Sequence, residues 1–144
     1  MTTTLPDVNV LVSLAWPNHV HHASSRAWFT DHDTDDWATC PITEAGFVRV
    51  SSNRRVIPDA RSPREAVSVL RLLRNLPGHE FWSDDVSLAD CAEVAIDALD
   101  GYRQVTDAHL VSLAARRGGV VVTYDRGLAT LARDNGHEVL LLGL

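Results

Sequence analysis

The chain contains no lysine; all thirteen of its basic residues are arginine. That excludes Schiff-base catalysis and a P-loop phosphate site, both of which need an ammonium group. It also excludes haloacid-dehalogenase phosphatases and response-regulator receivers. Both place an aspartate after the first strand and normally need a lysine near the aspartyl phosphate. Cysteine is scarce: Cys40 and Cys91 form neither a CxxC nor a zinc pattern, and they read as buried reduced thiols. Long apolar runs are missing too. Val120–Val122 and Val139–Leu142, among the longest, are far too short to span a bilayer, so no membrane partner is expected. The start, Met1 to Pro6, has no basic n-region, so no signal peptide is expected and the expected location is the cytoplasm.

What is present is ordinary in bulk and uneven in charge. The 144 residues are 45% hydrophobic and 22% charged, which fits a single globular domain over 1–144. The net charge is −6, yet residues 49–74 carry seven arginines against Asp59 and Glu65. Residues 75–101, by contrast, carry seven acids and no base. One basic segment between acidic ones leaves room for a local polyanion site.

Hydrophobic patterning predicts alternating strands and helices. Thr3–Pro6, Trp37–Cys40, His79–Trp82, Gly119–Thr123 and Glu138–Leu142 read as strands. Helices are expected over Val8–Trp16, His19–Asp31, from Ile42 or Thr43 to Val50, from Ser62 to Leu76, over Ser87–Leu99, from a Thr106 cap to Arg117, and over Asp125–Asp134. The acidic run Asp31–Asp36 reads as a solvated loop. The class is α/β, a three-layer α/β/α arrangement around a five-stranded parallel sheet.

Four acids fall where such sheets build sites, at strand ends or helix starts. Asp7 follows the first strand and Glu44 lies in the first turn of the next helix. Asp107 opens the helix that leads into the fourth strand, and Asp125 lies two residues past that strand. Each alone reads as a helix-start acid, favourable against the helix dipole by roughly 0.3–1 kcal/mol. Together on one sheet edge they would repel unless a cation neutralised them, and a divalent ion with oxygen ligands suits that task.

The segments Asp7-Val-Asn9, Pro41-Ile-Thr-Glu44, Val105-Thr106-Asp107 and Thr123-Tyr-Asp125 resemble, in order and spacing, the acidic motifs of PIN-domain ribonucleases. The whole chain resembles the VapC toxins of bacterial VapBC toxin–antitoxin pairs. Many relatives carry Asp-Thr or Asp-Ser where Val8 and Asn9 stand here. The resemblance implies a metal-dependent endoribonuclease in which Asp7, Glu44, Asp107 and Asp125 are catalytic and hold Mg²⁺ or Mn²⁺. It further implies cleavage that leaves a 5′-phosphate. Asn9, Thr106 and Thr123 would orient a ligand or a water, although Thr106 reads equally as a helix cap. The implied partners are RNA and a cognate VapB-like antitoxin, in a homodimer or a toxin–antitoxin hetero-oligomer. Two other readings stand beside this one: a catalytically silent PIN domain that binds protein, and a Mg²⁺-dependent phosphatase of another α/β family.

Several further residues invite a role. Arg49, Arg54, Arg55, Arg61, Arg64, Arg71 and Arg74 are candidates for phosphate contact, with Arg54 and Arg55 the favoured pair. His19 and His22 have the i, i+3 spacing of a metal pair but no third ligand, and read as exposed helix-start histidines. His109 reads as a helix-surface residue. The four tryptophans, Trp16, Trp28, Trp37 and Trp82, read mostly as core anchors. In relatives, a leucine-rich helix like Arg64–Leu76 helps clip the antitoxin's C-terminal peptide.

Overall fold

Five short strands form one parallel sheet in the computed structural model, which describes residues 2–31, 36–58 and 60–143. They are β1 (Thr4–Pro6), β2 (Trp37–Thr39), β3 (His79–Phe81), β4 (Val120–Thr123) and β5 (Val139–Leu141), in the order β3-β2-β1-β4-β5. Thr4 of β1 registers with Trp37 on one side and Val120 on the other. The helices are α1 (Val8–Ala15), α2 (His22–Asp31), α3 (Pro41–Ser51), α4 (Pro63–Arg74), α5 (Val105–Arg116) and α6 (Arg126–Asp134). The expected α/β class and five-stranded parallel sheet are borne out. Among the described residues, no helix is long and apolar enough to cross a membrane.

Strand alternation sends successive side chains to opposite faces, and the core divides accordingly. Trp37 packs with Leu11, Val12, Phe47, Leu70 and Leu73, from α1, α3 and α4. Its neighbour Ala38 joins Leu110, Leu113, Leu128 and Leu131, from α5 and α6. On β4, Val121 belongs to that second cluster, while Val122 packs with Val10 and Trp28. Trp28, Trp37 and Trp82 are buried as expected. Trp16 is half-buried, stacked on Phe47 at 6.4 Å, and its Nε1 donates to Ser51 Oγ at 2.9 Å.

The chain runs outward through β1, β2 and β3, then α5 leads back to β4 on the other side of β1. The carboxyl ends of β1 and β4 thus lie side by side at the point where strand order reverses. Open parallel sheets bind ligands at such points. Asp7 and Thr123 stand there, and the Asp7 N–H donates to Val122 O at 2.9 Å.

Four local expectations need correction. Residues 87–99 do not form a helix; they make two short 3₁₀ turns, Leu88–Asp90 and Ile96–Ala98. The cause is local competition plus tertiary pull. Ser87 and Asp84 side chains accept from nearby backbone N–H groups, at 3.2 Å each, and so offer an alternative to helical bonding. Val86 and Val94 are drawn into the α5–α6 core, while Glu93 Oε1 accepts from Arg116 Nε at 2.7 Å. Thr106 does not cap α5, which starts at Val105 after a 3₁₀ turn over Tyr102–Gln104. The second helix starts at His22 rather than His19, because the backbone turns at residues 17–21. Helix α3 starts at Pro41, with Thr43 Oγ1 accepting from the Cys40 N–H at 3.0 Å. Of the expected acidic loop, Asp31 ends α2 and residues 32–35 lie outside the described residues.

Candidate active site

Asp7 is a buried carboxylate at the start of α1. One oxygen accepts from Val10 N at 3.0 Å, the usual bond of a helix N-cap. The other accepts from Thr123 Oγ1 at 2.5 Å. Thr123 is fully buried, and its hydroxyl oxygen also accepts from the Asp125 N–H at 2.9 Å. One hydroxyl thus ties the end of β4 to Asp7. Burial pushes the Asp7 carboxyl above its ordinary range, the bonds from Thr123 and Val10 work against that, and the Asp125 charge adds to it.

Asp125 caps α6, with Oδ1 accepting from Gly127 N at 2.7 Å and Leu128 N at 3.3 Å. Asp107 sits half-buried in the first turn of α5. Its carboxyl is pushed up to about 6, first by burial, then by Asp125 and Asp7. Three acids from three helix starts therefore sense one another across the β1–β4 edge. Among the described residues, no group of three or more His, Cys, Asp or Glu side chains is gathered tightly enough to hold a metal ion as it stands.

Glu44 is engaged with a different set of neighbours. Its Oε2 accepts from Thr39 Oγ1 at 2.6 Å, and its Oε1 lies 3.5 Å from Arg74 Nη1. The Thr39 hydroxyl is also 2.8 Å from His79 Nε2, and Arg74 lies over the Phe81 ring at 5.2 Å. Burial, then the Arg74 charge, lower the His79 pKa, with Glu44 working the other way. The expectation that all four acids rely on an outside cation is therefore too broad, because Arg74 already faces Glu44. Neither Thr39 nor His79 stood out in the sequence. The available signal was Thr39 closing a strand five residues before Glu44.

The remaining candidates separate clearly. Asn9 is exposed, and it is its backbone N–H that reaches Asp7; Thr106 is exposed in the first turn of α5. Arg54 and Arg55 are exposed in the turn beyond the C-terminal end of α3, whereas Glu44 lies in its first turn. Arg54 lines a groove of about 840 Å³ with Trp16, Val20, Val56, Ile57 and Arg61. Trp16 closes α1 and Asp7 opens it, so α1 separates that groove from Asp7. His22 Nδ1 donates to Ser13 O at 2.9 Å, and His19 Nδ1 accepts from His21 N at 3.0 Å; among the described residues, neither belongs to a group of three or more His, Cys, Asp or Glu side chains that could hold a metal ion. His109, half-buried rather than on an open helix surface, contacts Asp84 at 2.6 Å and fastens the loop after β3 to α5.

The chain matches known proteins along most of its length. The PIN domain family model matches residues 4–134. Ribonuclease VapC39 of Mycobacterium tuberculosis is 51% identical over 138 residues, which cover 96% of this chain and 99% of that protein. Ribonuclease VapC38 of the same organism is 56% identical over 130 residues, 90% of each chain. Two crystal structures share the fold at low identity. VapBC2 from Rickettsia felis bound to a promoter DNA fragment has a TM-score of 0.66 at 14% identity, covering 98% of this chain and 99% of that one. DNA-bound VapBC from Salmonella typhimurium has a TM-score of 0.64 at 18% identity, covering 96% and 97%. The chain belongs to the PIN domain family, within its VapC branch.

Proposed function

We propose that this protein is the toxin of a type II toxin–antitoxin pair, a Mg²⁺- or Mn²⁺-dependent endoribonuclease. The observation that carries the reading is the placement of Asp7, Asp107 and Asp125 at the switch point of the sheet, each raising or sharing the negative potential of the others. The ribonuclease names of relatives at 51% and 56% identity support the same reading.

The donor set fits a hard divalent cation. It consists of carboxylates, and two of them, Asp7 and Asp107, bind protons more readily than usual, chiefly through burial and further through neighbouring acids. Asp7, Glu44, Asp107 and Asp125 would hold the ion. When bound, it supplies an acidified water for attack on an RNA phosphodiester and offsets charge on the leaving oxygen. The protein's own part is positional. Val10 N–H and Thr123 hold Asp7 in place, and the α6 N-terminus holds Asp125 by Oδ1. Asp107, held by neither, takes up a proton below about pH 6 and is ionised above it.

A cognate VapB-like antitoxin is the expected inhibitor, in a hetero-oligomer or a toxin homodimer, and RNA is the expected substrate. Asp7→Asn, Glu44→Gln, Asp107→Asn and Asp125→Asn should each abolish Mg²⁺-dependent RNA cleavage and growth arrest. Near-wild-type cleavage by two of the four at saturating metal would overturn the site assignment.

A further inference from the structure

Thr39 and Arg74 contact Glu44, His79 contacts Thr39, and hydrogen-bond bookkeeping gives the chain of contacts a direction. Thr39 is completely buried, so water does not serve its hydroxyl. A hydroxyl carries one proton, and an ionised carboxylate only accepts. At 2.6 Å from Glu44 Oε2, the Thr39 proton is committed to Glu44. Thr39 Oγ1 also lies 2.8 Å from His79 Nε2 and must therefore accept there, which places a proton on Nε2. The order is His79 Nε2–H to Thr39 Oγ1–H to Glu44 Oε2.

The relay is anchored in the core. His79 of β3 registers with Trp37 of β2, and Thr39 lies two residues further along the same strand face. The imidazole packs edge-on against Trp37 at 4.8 Å, and Trp37 Nε1 donates to Pro77 O at 3.3 Å. Arg74 approaches the other Glu44 oxygen from α4 with 43% of its side chain exposed. One carboxylate oxygen is thus fixed by a buried, directional bond. The other faces the guanidinium of Arg74, a monodentate ion pair at 3.5 Å.

We infer that Thr39 and His79 are positioning residues for Glu44, a hydrogen-bonded relay that sets the carboxylate's orientation toward a divalent cation. The inference rests on the reading of Glu44 as a metal ligand. Hydrogen bonds to the far side of a ligand commonly change metal affinity by about 10- to 100-fold when removed.

Calorimetric titration of the purified protein with Mn²⁺, without RNA, tests this. Thr39→Val should weaken Mn²⁺ binding by about tenfold, while Thr39→Ser, which keeps the hydroxyl, should stay within about twofold of the parent. His79→Leu should weaken binding, and His79→Gln, which keeps an N–H donor, should not. In a Glu44→Gln background, Thr39→Val should add nothing, because its effect runs through Glu44. If Glu44→Gln weakens Mn²⁺ binding but Thr39→Val does not, the relay is wrong and the metal site stands. If Glu44→Gln leaves Mn²⁺ binding unchanged, both are wrong. Should Thr39→Val fail to fold, the contrast between His79→Leu and His79→Gln decides: equal affinities overturn the relay.

Discussion

At Asp107 the electrostatics of one residue have a measurable sign. Its carboxyl sits at about 6 in the folded protein against an ordinary 3.8, chiefly through burial and then through Asp125 and Asp7. Between those values the folded state holds a proton that the unfolded chain has released. The stability tied to this group is therefore fully present below about pH 4 and is lost as pH rises through about 6. Asp107→Asn should melt about 2–4 °C above the parent at pH 7 in EDTA, lose that advantage below pH 4, and gain less from Mn²⁺. Melts at both pH values, with and without Mn²⁺, check this. A lower melting point in EDTA with the full Mn²⁺ shift would make Asp107 a helix-start acid and nothing more. Arg54 and Arg55 make a second case, being exposed and set apart from Asp7 by α1. If they hold RNA phosphates, replacing both with Ala should flatten the salt dependence of RNA binding by about one to two counter-ions, without affecting folding. An unchanged slope would place the RNA path elsewhere.

The elements that position these residues depend on close helix packing. Gly46 of α3 lies against the Val8 side chain of α1, and a methyl group there would overlap Val8 Cγ2. Since Asp7 opens α1 and Glu44 lies in the first turn of α3, that contact also spaces two candidate ligands. Gly46→Ala should lower stability by about 1–3 kcal/mol in denaturant unfolding, and an unchanged midpoint would show that α1 and α3 yield freely. Sequence revealed much at this scale. Asp7 and Asp125 were visible as acids between a strand and a helix, and both turn out to be N-caps. Local signals of that kind are complete within a few residues. The helix expected over 87–99 failed because its burial and its Glu93–Arg116 bond depend on α5, beyond the reach of local propensity. The Glu44 surroundings were hidden for the same reason: Thr39, Arg74 and His79 come from β2, α4 and β3, which sequence spacing does not relate.

At the scale of the molecule, a chain of net charge −6 carries its densest run of arginines in residues 49–74, which span the end of α3, the following loop and α4. The acidic edge and the basic segment offer opposite charges to a partner. An antitoxin that inserts an arginine or lysine among Asp7, Asp107 and Asp125 would relieve their mutual repulsion. Co-expression with an adjacent small antitoxin gene should restore growth, and replacing the C-terminal basic residues of that antitoxin should undo the rescue. Rescue that survives loss of all of them would mean inhibition by another route. The most direct test of the central claim is RNA cleavage by the purified protein in Mn²⁺ and in EDTA, with sequencing of the new 5′ ends and Asp7→Asn in parallel. The expected result is discrete cuts bearing 5′-phosphates that appear only with Mn²⁺ and are absent from Asp7→Asn. Undiminished cleavage in EDTA, or the same cuts from Asp7→Asn, would contradict it.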